Sequence, residues 1–262
     1  MDRGCLRRRW WLTLSHLWLW SLSGVFIASV VSMIGVVILY FGFKDISRIV
    51  FFLISLAVGA MFGDAFIHLI PEIYREAKNT AVVSSGFLTG IMIFFILDKV
   101  LRTHHHHKAG SANDSHVIGP LNMIADAAHN FIDGTLIAAS FLASYKIGIA
   151  TTAAVLLHEI PHEIGDYGVL IHAGYSRMQA MLFNFLTALL AFAGAMITLL
   201  LGVSVMHFTT WILPVATGGF IYIAGADLVP ELHKDLRPQS IVQQFLAILI
   251  GIALMFALLF LE

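Results

Sequence analysis

The chain has 262 residues, of which 59% are apolar and only 12% are Asp, Glu, Lys or Arg, with a mean hydropathy of +0.87. Soluble globular chains carry about a quarter charged residues, so this composition excludes a soluble domain and indicates an integral membrane protein. A net charge of −1 and a pI near 6.9 leave no basic footprint for nucleic acid, and the single cysteine, Cys5, excludes an intrachain disulfide and a multi-cysteine metal cage.

Residues 1–13 form a basic N-terminal segment with Arg3, Arg7, Arg8 and Arg9. The apolar run it leads into is too long for a signal-peptide core and has no clear cleavage site. Runs near the roughly 20 residues that span hydrocarbon as a helix fall at 14–41, 47–70, 84–102, 120–145, 148–173, 178–202, 209–230 and 241–261. Backbone groups at membrane depth must be satisfied within their own segment, so helices are expected. The predicted fold is an all-α polytopic membrane protein with eight transmembrane helices and both termini on one side. Helices 1–3 occupy 14–102, a His-rich loop 103–119, helices 4 and 5 120–173, and helices 6–8 178–261. Gly119-Pro120 is expected to start helix 4, where the missing N–H of proline would be unpaired anyway. The break between helices 6 and 7, Gly202 to Thr210, carries no charge and rests on length alone.

Ionisable groups at membrane depth are costly and pair with each other, with a cation or with a solute path. In helix 5, His158, His162 and Asp166 follow at i, i+4 and i+8, with Glu159 and Glu163 in the adjacent column. In helix 4, His129 and Asp133 are four apart, Asn130 borders His129, and Asp126 precedes it as a candidate orienting carboxylate. Two such helices face to face would offer imidazole nitrogens and carboxylate oxygens, the set that zinc and other first-row divalent ions accept. Pro161 within the motif frees a backbone carbonyl and predicts a bend beside a cavity. Asp64 and His68, and Asp227 and Glu231, stand before or within Pro-Glu pairs; they are candidates for an entrance or exit, with helix-end or interfacial roles as the alternative. Asp98-Lys99 reads as a local ion pair, and Asn184 as a helix–helix hydrogen bonder. His104, His105, His106, His107 and His116 in the loop are candidates for loose metal capture that tunes transport.

The segments His129-Asn-Phe-Ile-Asp-Gly134 and His158-Glu-Ile-Pro-His-Glu-Ile-Gly-Asp166 resemble the paired signatures of the ZIP family of zinc and iron transporters, most closely its LIV-1 subfamily. Gly63 to Glu72, Leu121 to His129 and Ala226 to Glu231 extend the likeness across the transmembrane core. The resemblance implies eight helices in a 3+2+3 bundle, termini outside and the His-rich loop in the cytoplasm. Lysine and arginine counts are nearly tied, seven on the side of the termini against eight on the other; setting aside the first nine residues leaves three against eight, in agreement with that orientation. The resemblance further implies that His129, Asn130, Asp133, Glu159, His162 and Glu163 lie at the transport site, with His158 tuning metal preference and Asp133 or Glu159 as candidate bridges between two ions. The expected cargo is Zn2+, with Fe2+, Mn2+ or Cd2+ as alternatives. The expected setting is a multi-pass protein of the cell or plasma membrane, the inner membrane in a prokaryote, in contact with lipid and compatible with a homodimer.

His158-Glu-Ile-Pro-His162 also satisfies the zincin pattern, with Glu159 as general base and Asp133 or Asp227 as a distant third ligand. Pro161 and the surplus of ligands argue against an intramembrane metalloprotease. The expected cage for a transported ion is His129, Asp133, Glu159 and His162.

Overall fold

The apolar runs fold as helices, each satisfying its own backbone as lipid requires. The computed structural model describes residues 3–40, 47–77, 79–106, 115–204, 208–235 and 238–260. They form α1 (Arg3–Tyr40), α2 (Ser47–Gly63), α3 (Ile70–Glu76), α4 (Thr80–His106), α5 (Ser115–Ala143), α6 (Tyr145–His172), α7 (Arg177–Ser204), α8 (Phe208–Tyr222), α9 (Val229–Leu232) and α10 (Pro238–Leu259). A π-helical turn at Asp64–Leu69 joins α2 to α3, and another at Ile223–Leu228 joins α8 to α9. The described residues thus make eight rods, and no strand occurs among them. Five rods are long and apolar enough to cross a membrane by length and composition. The rods α5 and α6 are outside that set because they carry the ionisable residues.

Two boundaries differ from the sequence reading. Helix α5 begins at Ser115 and holds Pro120 inside it, since a proline so near the helix start removes at most one backbone bond. Helix α4 runs on to His106, so the expected 103–119 loop shrinks from both ends, and residues 107–114 lie outside the described residues.

The rods sort into two groups of four. Helix α5 packs on α7 and α6, and α1 packs on α6 and α7; separately, α2 packs on α10 and α4 on α8. The groups meet mainly where α2 touches α6 and α5 touches α8. This pattern has an internal two-fold relation. Exchanging α1 with α7, α2–α3 with α8–α9, α4 with α10 and α5 with α6 converts α5/α7 into α6/α1, α2/α10 into α8/α4 and α2/α6 into α8/α5, all of them observed pairs. Exchanged rods run in opposite directions, so the relation is an inverted repeat. The two π turns coincide under it. Each precedes a Pro-Glu pair, Pro71-Glu72 and Pro230-Glu231, and in each the residue before the proline donates to the carbonyl five back, Ile70 to Ala65 and Val229 to Ala224.

Glycines set the closest approaches. A Cβ on Gly59 would strike the Ile248 carbonyl and one on Gly251 the Leu56 carbonyl, where α2 crosses α10. Gly90 and Gly218 play the same part between α4 and α8, and Gly134 and Gly194 between α5 and α7. Small residues at such crossings are how helices in lipid gain packing without a hydrophobic drive.

Candidate metal centre

The hydroxyl of Ser144 caps α6, accepting from the Ile147 N–H at 3.2 Å. From there α6 runs unbroken to His172 through a buried Pro161. The four-residue spacing of its polar side chains aims them at α5, which presents His129, Asn130 and Asp133 at the middle of the bundle.

Four groups converge there: His129, Asp133, His158 and Glu159, each offering a ligand atom within 4.8 Å of the others. The Nε2 of His158 lies 3.1 Å from His129 Nε2, 3.0 Å from Asp133 Oδ2 and 3.6 Å from Glu159 Oε1. The Nε2 of His129 lies 3.2 Å from Glu159 Oε1 and 3.8 Å from Asp133 Oδ2. All four side chains are buried, His158 completely. Neither oxygen of Asp133 has a protein hydrogen-bond partner, and neither does Glu159 Oε1. Buried carboxylates without donors are rare in folded proteins, and a cation between these four groups would satisfy them.

A second group, Asp126, His162 and Asp166, lies one helical step toward the end of α6. His162 Nδ1 is 3.2 Å from Asp166 Oδ2 and 4.0 Å from Asp126 Oδ1. The expected cage therefore changes in one member: His158 completes the central four, while His162 stacks on His129 with ring centres 4.1 Å apart and planes 8° from parallel. Asp126 is not placed against His129 as an orienting group. Its Oδ1 accepts from Asn130 Nδ2 at 2.7 Å, which also directs the Asn130 amide at Asp126 and not at the central four. Glu163 is fully buried outside both groups, and Asn184 of α7 donates to its backbone oxygen at 3.0 Å. Asn184 thus bonds between helices as its sequence context suggested.

A cavity of about 180 Å³ reaches this region from the half of the bundle where α4 ends and α5 begins. Asp126, His129, His162 and Asp166 line one wall, and Asp98, Tyr222 and Asp227 are on the other. The sequence reading missed Asp98 as part of this space. Tyr222 donates to Asp98 at 3.2 Å across 124 residues of chain, a relation that no local pattern could reveal.

The model of the family described as ZIP Zinc transporter matches residues 15–120 and 111–259, nearly the whole sequence. The chain belongs to the ZIP zinc transporter family. Zinc transporter ZIP13 of Pongo abelii is 36% identical over 217 residues, covering 78% of this chain and 65% of the relative. The ZIP13 homolog of Drosophila melanogaster is 32% identical over 285 residues, covering 82% and 79%. Zinc transporter SLC39A7 of Canis lupus familiaris is 41% identical over 172 residues, covering 63% and 37%. The chain thus spans just under two thirds of the first of these relatives and little more than a third of the last. ZIP13 and SLC39A7 are members of the LIV-1 subfamily that the motifs resemble.

In this ZIP chain the outlying candidates separate. Asp227 lines the cavity, whereas Glu231 pairs with Lys234 at 2.5 Å and is outside the lining. Asp64 is fully buried beside Thr151 of α6. His68 Nε2 is 3.0 Å from the Met255 carbonyl oxygen, a tie from the first π turn to α10. His104, His105 and His106 end α4 and His116 begins α5, but their side chains lie outside the described set, as does all of His107. The zincin reading loses its geometry. A zincin turns both motif histidines on one zinc, whereas here His158 and His162 belong to different groups.

Proposed function

We propose that this protein carries Zn2+ across the membrane into the cytoplasm by alternating access at a site built from His129, Asp133, His158 and Glu159. The observation that carries the reading is the convergence of these four groups from two helices at the buried centre of a ZIP-family bundle. Two imidazoles and two carboxylates make a borderline donor set, and the two carboxylates balance one dication. Fe2+, Mn2+ and Cd2+ suit the same donors less selectively and are proposed as secondary cargo.

The helices that hold the site pack with α1 and α7, and the other four rods pack among themselves. We therefore take the moving unit to be all four of α1, α5, α6 and α7, sliding against the rest. The cavity beside Asp227 is then the route of release, and the His-rich loop lies on its side of the membrane. Inward transfer of a dication gains about 2.3 kcal/mol per charge per 100 mV of inside-negative potential. Placement in the cell or plasma membrane would let that drive act, and fractionation would test it.

In vesicles reconstituted with the purified protein, Zn2+ uptake is expected to saturate with concentration and to fall as the medium is acidified, because imidazole and carboxylate must lose their protons to bind metal. His129→Ala is expected to reduce uptake to background. A folded protein that binds zinc but moves none would defeat the reading. Deleting His104 to His107 is expected to leave substantial uptake and to shift mainly its dependence on metal concentration. Complete loss with normal folding would put the loop on the essential path.

A further inference from the structure

The half of the bundle opposite the release cavity holds a cavity of about 210 Å³, set between the ends of α3 and α5 and the starts of α4 and α8. We propose that it binds a small organic ammonium ion with an apolar body, and that this occupant holds the two groups of rods in their present arrangement and arrests transport. The arrest rests on reading the central group as a transport site; the binding does not.

The cavity straddles the boundary between the groups. On one wall α3, α4 and α8 supply Glu72, Glu76, Val83, Leu213 and Pro214, and on the other α5 supplies Leu142 and Ala143. Each wall is anchored in its own group. Leu142 fills the space that Gly202 leaves on α7, and Pro214 the space that Gly86 leaves on α4, since a Cβ on either glycine would strike it. A body seated between the walls touches two units that must slide past each other.

The lining selects the ligand. Glu72 is buried and pairs with Arg75, whereas Glu76 is exposed at the end of α3. Two carboxylates against one guanidinium leave a single negative charge, which suits a monocation. An ammonium group has N–H bonds for these oxygens and for the Thr210 hydroxyl oxygen, also in the lining. Val83, Leu142, Leu213 and Pro214 offer apolar surface to its hydrocarbon part. Mostly apolar walls with a few placed polar groups are the usual make-up of a small-molecule site. A metal ion fits poorly, because two carboxylates are fewer protein ligands than even an open zinc site uses.

The same chemistry exists in free amines and in the headgroup of phosphatidylethanolamine. The probe is cyclohexylammonium, titrated by calorimetry into the full chain in detergent without metal. It is also added to zinc-uptake assays in vesicles of phosphatidylcholine, whose ammonium carries no N–H. The wild type is expected to bind one equivalent and to lose uptake in a way that saturating Zn2+ does not relieve. Glu76→Gln is expected to keep basal uptake and to weaken binding and inhibition about tenfold, the scale of one charge-assisted hydrogen bond. Ala143→Leu, which fills the cavity from the other wall, is expected to remove binding with both carboxylates intact. With phosphatidylethanolamine added to the vesicles, lower uptake in the wild type but not in Glu76→Gln would identify the lipid as occupant; unchanged uptake in both would assign the site to free amines. No binding by the wild type, equal inhibition of the wild type and folded Glu76→Gln, or relief by zinc would overturn the site. A wild type that binds the amine but moves no zinc would keep the site and defeat the transport reading alone.

Discussion

His158→Ala is expected to abolish zinc uptake and to weaken tight zinc binding by about 100-fold or more, since loss of a direct ligand costs at least as much as loss of a group that only orients one. His158 has no exposed surface, and its Nε2 lies at 3.1 Å and 3.0 Å from two other members of the central four. Its other nitrogen, Nδ1, is 3.3 Å from the Ala154 carbonyl oxygen. As donor there, Nδ1 fixes the tautomer that leaves the Nε2 lone pair facing the site. Truncation removes one ligand of four and leaves Asp133 and Glu159 facing each other with one imidazole fewer between them. His162→Ala should behave differently, keeping tight binding while uptake slows. Zinc titration of the two purified variants separates the cases. Equal loss of tight binding in both would show that the two histidines serve one ion.

The second large effect is steric. Any side chain at Gly134 would meet the carbonyl of Ala191, so Gly134→Val must push α5 away from α7 at the residue next to Asp133. Overpacking of this kind costs about 1–3 kcal/mol, and backbone is a less yielding neighbour than a side chain. Gly134→Val is expected to lower the thermal unfolding midpoint and to lose tight zinc binding. Gly165→Ala is the contrast, because a Cβ there meets nothing within 4 Å. It should be neutral or stabilising by up to about 1 kcal/mol, through helix propensity. Thermal unfolding of both in detergent checks the pair, and equal destabilisation would contradict the crossing geometry.

The eight rods were legible because span length and hydropathy are properties of contiguous sequence. Even the uncharged break at Gly202 to Thr210 appears, with α7 ending at Ser204 and α8 starting at Phe208. The start of α5 was not legible, since Pro120 marks a helix start only when the turn before it stays unwound. At the site, four-residue spacing put His158 and His162 in one column of α6, but it could not say at what height α6 stands against α5. That axial register, and not the rotation of the helix, decides which of His158 and His162 joins His129 and Asp133. The placement of Asp98 beside Tyr222 was beyond reach for the same reason, because it depends on how α4 meets α8. The repeated Pro-Glu pairs were visible in the sequence, yet the inverted relation between them emerges only from which rods touch.

Among the described glycines, every contact that a Cβ would make with another helix stays inside one group of four rods, and none bridges α2 to α6 or α5 to α8. Backbone pressed on backbone resists shear like meshed teeth, whereas side chains meeting across a smoother boundary can exchange partners by changing rotamers. The cheapest deformation of this molecule is therefore a glide along the plane between the two groups, with each group travelling as a solid block. A solute held wholly by one block would be ferried past the other without its holder being dismantled.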